Sequence, residues 1–314
     1  MKYRIGVDMG GTAIKAGVID ENFNIICSHS VPTGEGFETV VKNIADAAKT
    51  VAGMAGLKVE DFPCVGLGTP GCISPSTGKL VFSNNTNWRN VPLRDELAKH
   101  LPVPVYIGND ANCAVIGETI AGAAKGHDNV VMITLGTGVG GGVIIGGKLF
   151  CGGDGMGAEL GHTVLVADGY PCTCGARGCL EAYASVTGLI RQTKDAMAAD
   201  PKSFLHDWVK EYGAVNGKTV FDCAQQGDAA SLKVLDQYTS YVAAGLGGFI
   251  NVFRPEIILV GGGVCAQGDY LLDPIREKLK NHVFAYDIIG APEVKVAALG
   301  NAAGTIGAAY LDSM

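Results

Sequence analysis

The stretch Glu159–Glu181 reads ELGHTVLVADGYPCTCGARGCLE. It places Cys172, Cys174 and Cys179 within eight residues, and His162 ten positions before the first of them. Three thiolates and one imidazole form a complete tetrahedral set for Zn²⁺. Gly169, Gly175 and Gly178 allow a short loop to close round one ion. Cysteines that merely pack are scattered among apolar residues, whereas these cluster in a polar, Gly-rich segment with little core to fill. All four ligands come from the protein, so no coordination position remains for a substrate and the ion is structural. Its work would be to aim its neighbours. A zinc-bound imidazole keeps one nitrogen for a further hydrogen bond, and two carboxylates, Glu159 and Glu181, bracket the knot.

Around this knot the composition is that of an α/β protein. A length of 314 residues suffices for one large or two medium domains. Forty-six glycines are too many for a simple helical bundle, and three short clusters stand out, at 10–11, 136–147 and 261–263. Each follows a β-branched apolar run, the usual layout of a phosphate-binding turn. The net charge of −7 and pI near 5.4 argue against nucleic-acid and anionic-membrane partners. No signal-peptide pattern and no membrane-spanning apolar run is visible. Ten cysteines without an export signal imply a cytoplasmic chain with three thiols on the metal and the rest reduced.

The first glycine cluster lies in Arg4–Asp20, RIGVDMGGTAIKAGVID, whose alternation into and out of the turn predicts a β-hairpin. Gly10 and Gly11 allow positive φ and would bring backbone N–H groups close to an anion. Asp8 would then face phosphates across Mg²⁺; the alternative is a plain hairpin with Asp8 in its turn. Residues 23–31 continue the meander and 37–55 show helical spacing. Val65–Thr69 reads as a buried strand ending in Pro70-Gly71, a turn able to bring backbone to a ligand. Ser83–Arg89, SNNTNWR, is either a surface loop or a sugar-binding edge offering Asn87 and Trp88. A helix over 93–100 and a strand over 103–107 lead to Gly108-Asn109-Asp110-Ala111-Asn112 and a small-residue helix over 111–124. Ligands collect at the carboxyl ends of such strands, although Asp110 would serve equally as a helix N-cap.

Val130–Phe150, VVMITLGTGVGGGVIIGGKLF, satisfies G-x-G-x-x-G from Gly136 to Gly141. A dinucleotide turn must lead into a helix; here strand-like residues follow, so a second hairpin is predicted and NAD is excluded. The layout repeats that of residues 4–20, as two related halves would. No P-loop pattern occurs. Helices are expected over 184–198, 205–212, 229–253, 269–282 and 302–310, with strands over 256–260 and 293–297. Gly261-Gly262-Gly263 would let a flat base or ribose lie on backbone, or would simply turn the chain.

E-x-G-H followed by C-x-C-G-x-x-G-C-x-E resembles the ROK family of sugar kinases and sugar-responsive repressors. D-x-G-G-T-x-x-K, from Asp8 to Lys15, resembles the first phosphate loop of the actin, sugar-kinase and Hsp70 superfamily. The resemblance runs from Asp8 to the C-terminal helix. It departs only at Leu165-Val-Ala-Asp-Gly169, where many relatives carry V-D-P-D-G. It implies an actin-like, ribonuclease H-like α/β fold with two lobes and a cleft between them. The smaller lobe would comprise residues 1–118 and 302–314, and the larger one residues 119–301 with the zinc loop.

Its implied cofactors are ATP, Mg²⁺ and structural Zn²⁺, the last on His162, Cys172, Cys174 and Cys179. Asp8, Gly10, Gly11, Thr12, Lys15, Gly136, Thr137, Gly138, Gly261, Gly262 and Gly263 would serve the nucleotide. The N-D-A-N segment matches the one that supplies the family's catalytic aspartate, here Asp110. Gly71, Asn87, Asn109, Glu159, His162 and Glu181 would hold the sugar. Relatives are usually homodimers.

Three function classes compete: an ATP-dependent hexose kinase, a repressor and a non-catalytic sugar-binding module. A repressor needs a helix-turn-helix ahead of a body that here starts at Arg4, and a binding module has no use for Asp110 or phosphate turns. The kinase is therefore expected. NTNWRNVPL, ITLGTGVGGGVI and GCLEAYAS look most like the glucose-phosphorylating branch. N-acetylmannosamine, allose and fructose kinases share the same catalytic set.

Overall fold

The computed structural model describes residues 3–84 and 86–314. Asn85, part of the expected loop or sugar edge, lies outside the described residues. In chain order the strands are β1 (Tyr3–Met9), β2 (Ala13–Asp20), β3 (Ile25–Pro32), β4 (Val65–Thr69), β5 (Cys72–Ser74), β6 (Lys79–Ser83) and β7 (Trp88–Val91). They continue with β8 (Val105–Asn109), β9 (Val130–Leu135), β10 (Val139–Ile145), β11 (Lys148–Leu149), β12 (Ile257–Gly261) and β13 (Glu293–Val296). Two five-stranded sheets have the orders β3-β2-β1-β4-β8 and β11-β10-β9-β12-β13, the same pattern of a three-strand meander followed by two later strands. That repetition matches the expectation of two related halves.

The chain divides into two compact units, residues 1–132, 141–158 and 297–314 in the first, 133–140 and 159–296 in the second. In the first unit, β1 pairs antiparallel with β2 and parallel with β4, and β4 pairs parallel with β8. The helix Phe37–Met54 buries Val40, Val41, Ile44, Ala45, Ala48, Val51 and Ala52, one face at helical spacing, against this sheet. The helix Ala303–Ala308 packs differently, backbone on backbone. A Cβ on Gly6 would lie 1.9 Å from the Thr305 carbonyl oxygen, and one on Gly66 1.7 Å from that of Ala308. Gly6 and Gly66 are direct partners in the β1–β4 ladder. Together they cut a groove into the sheet, and small residues were needed on the helix to fill it.

Behind that helix, the carboxylate of fully buried Glu118 accepts hydrogen bonds from the N–H groups of Ala123, Ala298 and Leu299. The second unit is centred on the long helix Ala229–Phe253, with Tyr238, Val242 and Leu246 at its buried face. Its last residue is followed by Arg254 in the left-handed region, φ 42°. No helix among the described residues is long and apolar enough to cross a membrane.

At the two ends of the segment 83–89 the expected loop is strand instead. Ser83 ends β6 and Trp88 opens β7, and β5-β6-β7 form a small antiparallel sheet that sequence reading missed. Its strands are three to five residues long, too short for alternation to register. The Trp88 indole packs edge-on against Phe37, centroids 5.1 Å apart, and so belongs to the core rather than to a sugar-facing edge. A helix over Thr219–Gln225 was also missed. The strand expected over 103–107 runs from Val105 to Asn109 instead, which carries its end up to the Asn-Asp pair.

Candidate active site and metal cluster

In the first unit the carboxyl ends of three adjacent parallel strands converge. Asp8 of β1 lies opposite Gly68 of β4, and Thr69 of β4 opposite Asn109 of β8. This is the edge of a parallel sheet at which ligands bind. Asn109, not Asp110, caps the helix Asp110–Ala121: its amide oxygen accepts from the N–H groups of Ala111 and Asn112, at 2.9 and 3.3 Å. Its amide nitrogen donates to the Gly71 carbonyl at 3.0 Å. Asn109 therefore ties the Pro70-Gly71 turn to the helix start. Gly71, at φ 119°, could take no side chain, since a Cβ would sit 2.4 Å from the Phe82 carbonyl oxygen.

Asp110 is the first helical residue, with one carboxylate oxygen on the Ala111 N–H at 2.9 Å. Relieved of capping, it is free for chemistry. Burial raises its pKa above the ordinary carboxylate range, partly offset by that backbone bond. Asp8 is pushed up to about 6, by burial first and by the neighbouring Asp110 charge second, with Lys15 acting the other way. Lys15 faces it across the β1–β2 ladder. Gly304 closes the other side, where a Cβ would come within 3.1 Å of both Asp8 carboxylate oxygens. Nothing in the Ala-rich C-terminal sequence marked Gly304 as a neighbour of this pair, because only the helix-on-sheet packing brings it there.

A raised acid pKa makes a signed prediction. Between pH 3.8 and about 6 the folded chain holds the Asp8 proton while the unfolded chain has released it. Stability from this group is thus present at acid pH and lost as pH rises through that window, by about 2–3 kcal/mol in all. Asp8→Asn should raise the unfolding free energy of the ligand-free protein by that amount at pH 8 and leave it unchanged near pH 3.5. Denaturant unfolding at both pH values measures it; equal stabilities at pH 8 would count against a strained Asp8 charge.

The glycine turns mostly do without the positive φ that glycine allows. Neither Gly10 nor Gly11 has positive φ, and neither do Gly136, Gly138, Gly261 or Gly263. A two-residue loop of Gly11 and Thr12 closes on the Gly10 N–H to Ala13 carbonyl bond, 2.9 Å, and the Thr33 hydroxyl holds the Gly10 carbonyl. A Cβ on Gly11 would meet nothing within 4 Å, so glycine there leaves open ground in front of the turn. At the far end of the second cluster, Gly146 and Gly147 do have positive φ, 58° and 73°. Within the third cluster Gly262 needs its freedom: φ is 96°, and a Cβ would lie 2.2 Å from the Leu135 carbonyl oxygen. That contact sets the third cluster beside the end of β9, next to Gly136-Thr137-Gly138. This second turn is itself anchored, with the Gly136 carbonyl on the Val186 N–H (2.8 Å) and the Thr137 carbonyl on the Thr187 hydroxyl (2.7 Å).

In the second unit the four expected metal ligands come together. Ligand atoms of His162, Cys172, Cys174 and Cys179 all lie within 4.8 Å of one another. The Cys174–Cys179 sulfur separation is 3.7 Å, and Cys172 Sγ lies 3.6 Å from His162 Nδ1. Tetrahedral zinc with Zn–S of about 2.3 Å and Zn–N of about 2.05 Å has edges of about 3.8 and about 3.6 Å. The donor set fits zinc in both chemistry and spacing, and it leaves His162 Nε2 for another partner. The loop is shaped by the isolated bridges Val164–Cys179 and Pro171–Arg177 and by positive φ at Gly175 and Gly178. A Cβ on Gly178 would lie 1.7 Å from the Val166 carbonyl oxygen. Gly169 is required for close approach instead, 2.0 Å from the Tyr183 hydroxyl.

Glu181 does not stand free. One oxygen accepts from the Val139 N–H at 3.0 Å; the other accepts from the Thr173 hydroxyl at 2.9 Å and lies 3.4 Å from Cys172 Sγ. Glu159 precedes the short turn Leu160–His162 and is exposed. Asn87 is exposed in the left-handed region, φ 57°.

The ROK family model matches residues 4–313. A glucokinase of Thermotoga maritima is 40% identical over 310 residues, 98% of this chain and 96% of that protein. The xylose repressor of Bacillus subtilis is 31% identical over 223 residues, 70% of this chain and 53% of the repressor. A solved ROK-family glucokinase of Streptomyces griseus, in complex with glucose and AMPPNP, superposes with a TM-score of 0.84 at 38% identity, covering 98% of each chain. With the family pattern matched from end to end and four residues able to hold a metal gathered in one loop, the chain belongs to the ROK family.

Proposed function

We propose that this protein is an ATP-dependent hexose kinase that phosphorylates glucose at its 6-hydroxyl. The observation that carries this reading is the pairing of Asp110, buried and freed from capping, with Asp8 at one edge of a parallel sheet, in a chain similar throughout its length to glucokinases.

Phosphoryl transfer asks mainly for positioning and charge neutralisation. Asp110 takes the proton of the attacking hydroxyl, and the upward shift that burial gives its carboxyl makes it a stronger base than a solvated carboxylate. Asn109 and Gly71 hold the Asp110 backbone in register and, with Asn87, border the sugar in the first unit. Within the second unit Glu159, His162 and Glu181 are groups suited to sugar hydroxyls, since carboxylates are good acceptors for O–H donors. Gly10, Gly11, Thr12 and Lys15 serve the nucleotide in one unit, and Gly136, Thr137, Gly138 and Gly261–Gly263 in the other. Asp8 is the carboxylate that would hold Mg²⁺, an ion that neutralises phosphate charge when bound. Zinc on His162, Cys172, Cys174 and Cys179 fixes the loop that aims His162 and Glu181.

A coupled ADP-release assay over glucose, N-acetylmannosamine, allose and fructose tests the substrate. Glucose should lead by at least roughly tenfold in kcat/KM, about 1.4 kcal/mol of transition-state binding. A tenfold lead for another hexose would overturn the choice of sugar, and turnover of none of them the kinase itself. The exposed apolar residues Val252, Phe284 and Ile288, 73–85% accessible, support a homodimer, which light scattering would report. Ten cysteines with no disulfide between them, three of them in the metal cluster, support a cytoplasmic enzyme.

A further inference from the structure

We infer that Glu181 is a positioning residue for the nucleotide as well as a sugar contact, joining the metal loop to the second glycine turn. The inference rests on the kinase reading above. Val139 is the first residue after Gly136-Thr137-Gly138, and its N–H is fixed by a Glu181 carboxylate oxygen at 3.0 Å. Gly138 is glycine for the same reason: a Cβ there would lie 2.3 Å from that oxygen. The other oxygen is held by the Thr173 hydroxyl, between two metal ligands. From the other side, Gly161, next to His162, presses on the Val139 carbonyl, where a Cβ would come within 1.9 Å. Both flanks of the metal loop thus converge on Val139, the residue that leads out of the turn.

A hydrogen bond to an ionised carboxylate is about twice as strong as a neutral one. The Glu181 bond therefore holds the turn in one shape before any nucleotide arrives, and preorganisation of that kind raises affinity by removing an ordering cost. A sugar hydroxyl on Glu181 would further restrict the carboxylate, so sugar and nucleotide binding become coupled. The coupling is reciprocal by thermodynamic necessity.

The test is calorimetric titration of the zinc-loaded protein with Mg²⁺ and AMPPNP, with and without glucose, in wild type, Glu181→Gln, Thr173→Val and Thr173→Ser. In sugar-free protein Glu181→Gln should weaken AMPPNP binding by roughly tenfold. Thr173→Val should weaken it several-fold and Thr173→Ser restore it, with zinc content unchanged in all three. Glucose should tighten AMPPNP binding in wild type and lose that effect in Glu181→Gln. If wild type binds AMPPNP and both Glu181→Gln and Thr173→Val bind it within twofold of wild type, the positioning role is overturned while the kinase reading stands. If wild type binds no AMPPNP, the kinase reading fails and this inference with it.

Discussion

Asp110→Asn should fold, bind glucose and transfer almost no phosphate. The substitution keeps an oxygen for the Ala111 N–H, and the helix start does not depend on it because Asn109 is the cap. It removes a carboxylate whose charged form is disfavoured by burial, so stability should change little or rise. Loss of a positioned base costs roughly 10²–10⁴-fold in rate. The measurements are kcat by coupled assay and glucose affinity by calorimetry on the same preparation. Near-normal kcat would refute the role of base. Asn109→Ala gives the contrast, since it deletes the cap and the Gly71 bond together and should lower stability by about 1–2 kcal/mol before any effect on chemistry.

Protein purified without chelator should contain one zinc per chain, and Cys174→Ser should lose it. Regular structure contributes little between Thr163 and Leu180, where two isolated bridges and a handful of backbone bonds hold the loop. Structural zinc binds with an apparent free energy on the order of 10 kcal/mol, and binding is linked to ordering. Loss of one thiolate should therefore lower the unfolding midpoint and weaken glucose binding together, because His162 belongs to the cluster and Glu181 borders it. Metal analysis settles the first half. Wild-type protein with no zinc would remove this site from the account, and a Cys174→Ser protein with unchanged stability would make the ion incidental.

Several residues show where reading from sequence succeeds and where it stops. Two kinds of element were legible: the short, wholly buried strand Val65–Thr69 from its apolar run, and the helices Leu205–Tyr212 and Ala229–Phe253 from their periodicity. The metal ligands were legible because four residues of the right chemistry fall within eighteen positions of one another, and local chain geometry leaves them few other arrangements. The glycines were only half legible. Their clusters marked the turns, but the positive φ that glycine allows is not used at Gly10 or Gly11. What glycine supplies at Gly138 is room for Glu181, forty-three positions away in sequence, a distance no local pattern reports.

By itself the sequence determined the α/β class, two related meanders, a four-ligand metal loop and the Asn-Asp pair at a strand end. Each of these is encoded in neighbouring residues, through periodicity or through spacing. Tertiary structure alone decided which residue of that pair caps the helix, since the answer turns on Asn109 reaching the Gly71 carbonyl across the β4–β8 ladder. It also decided that Asp8 would hold its proton near pH 6. That outcome needs burial beneath Gly304 and the field of Asp110, and desolvation and charge act through space on groups that the chain order keeps far apart.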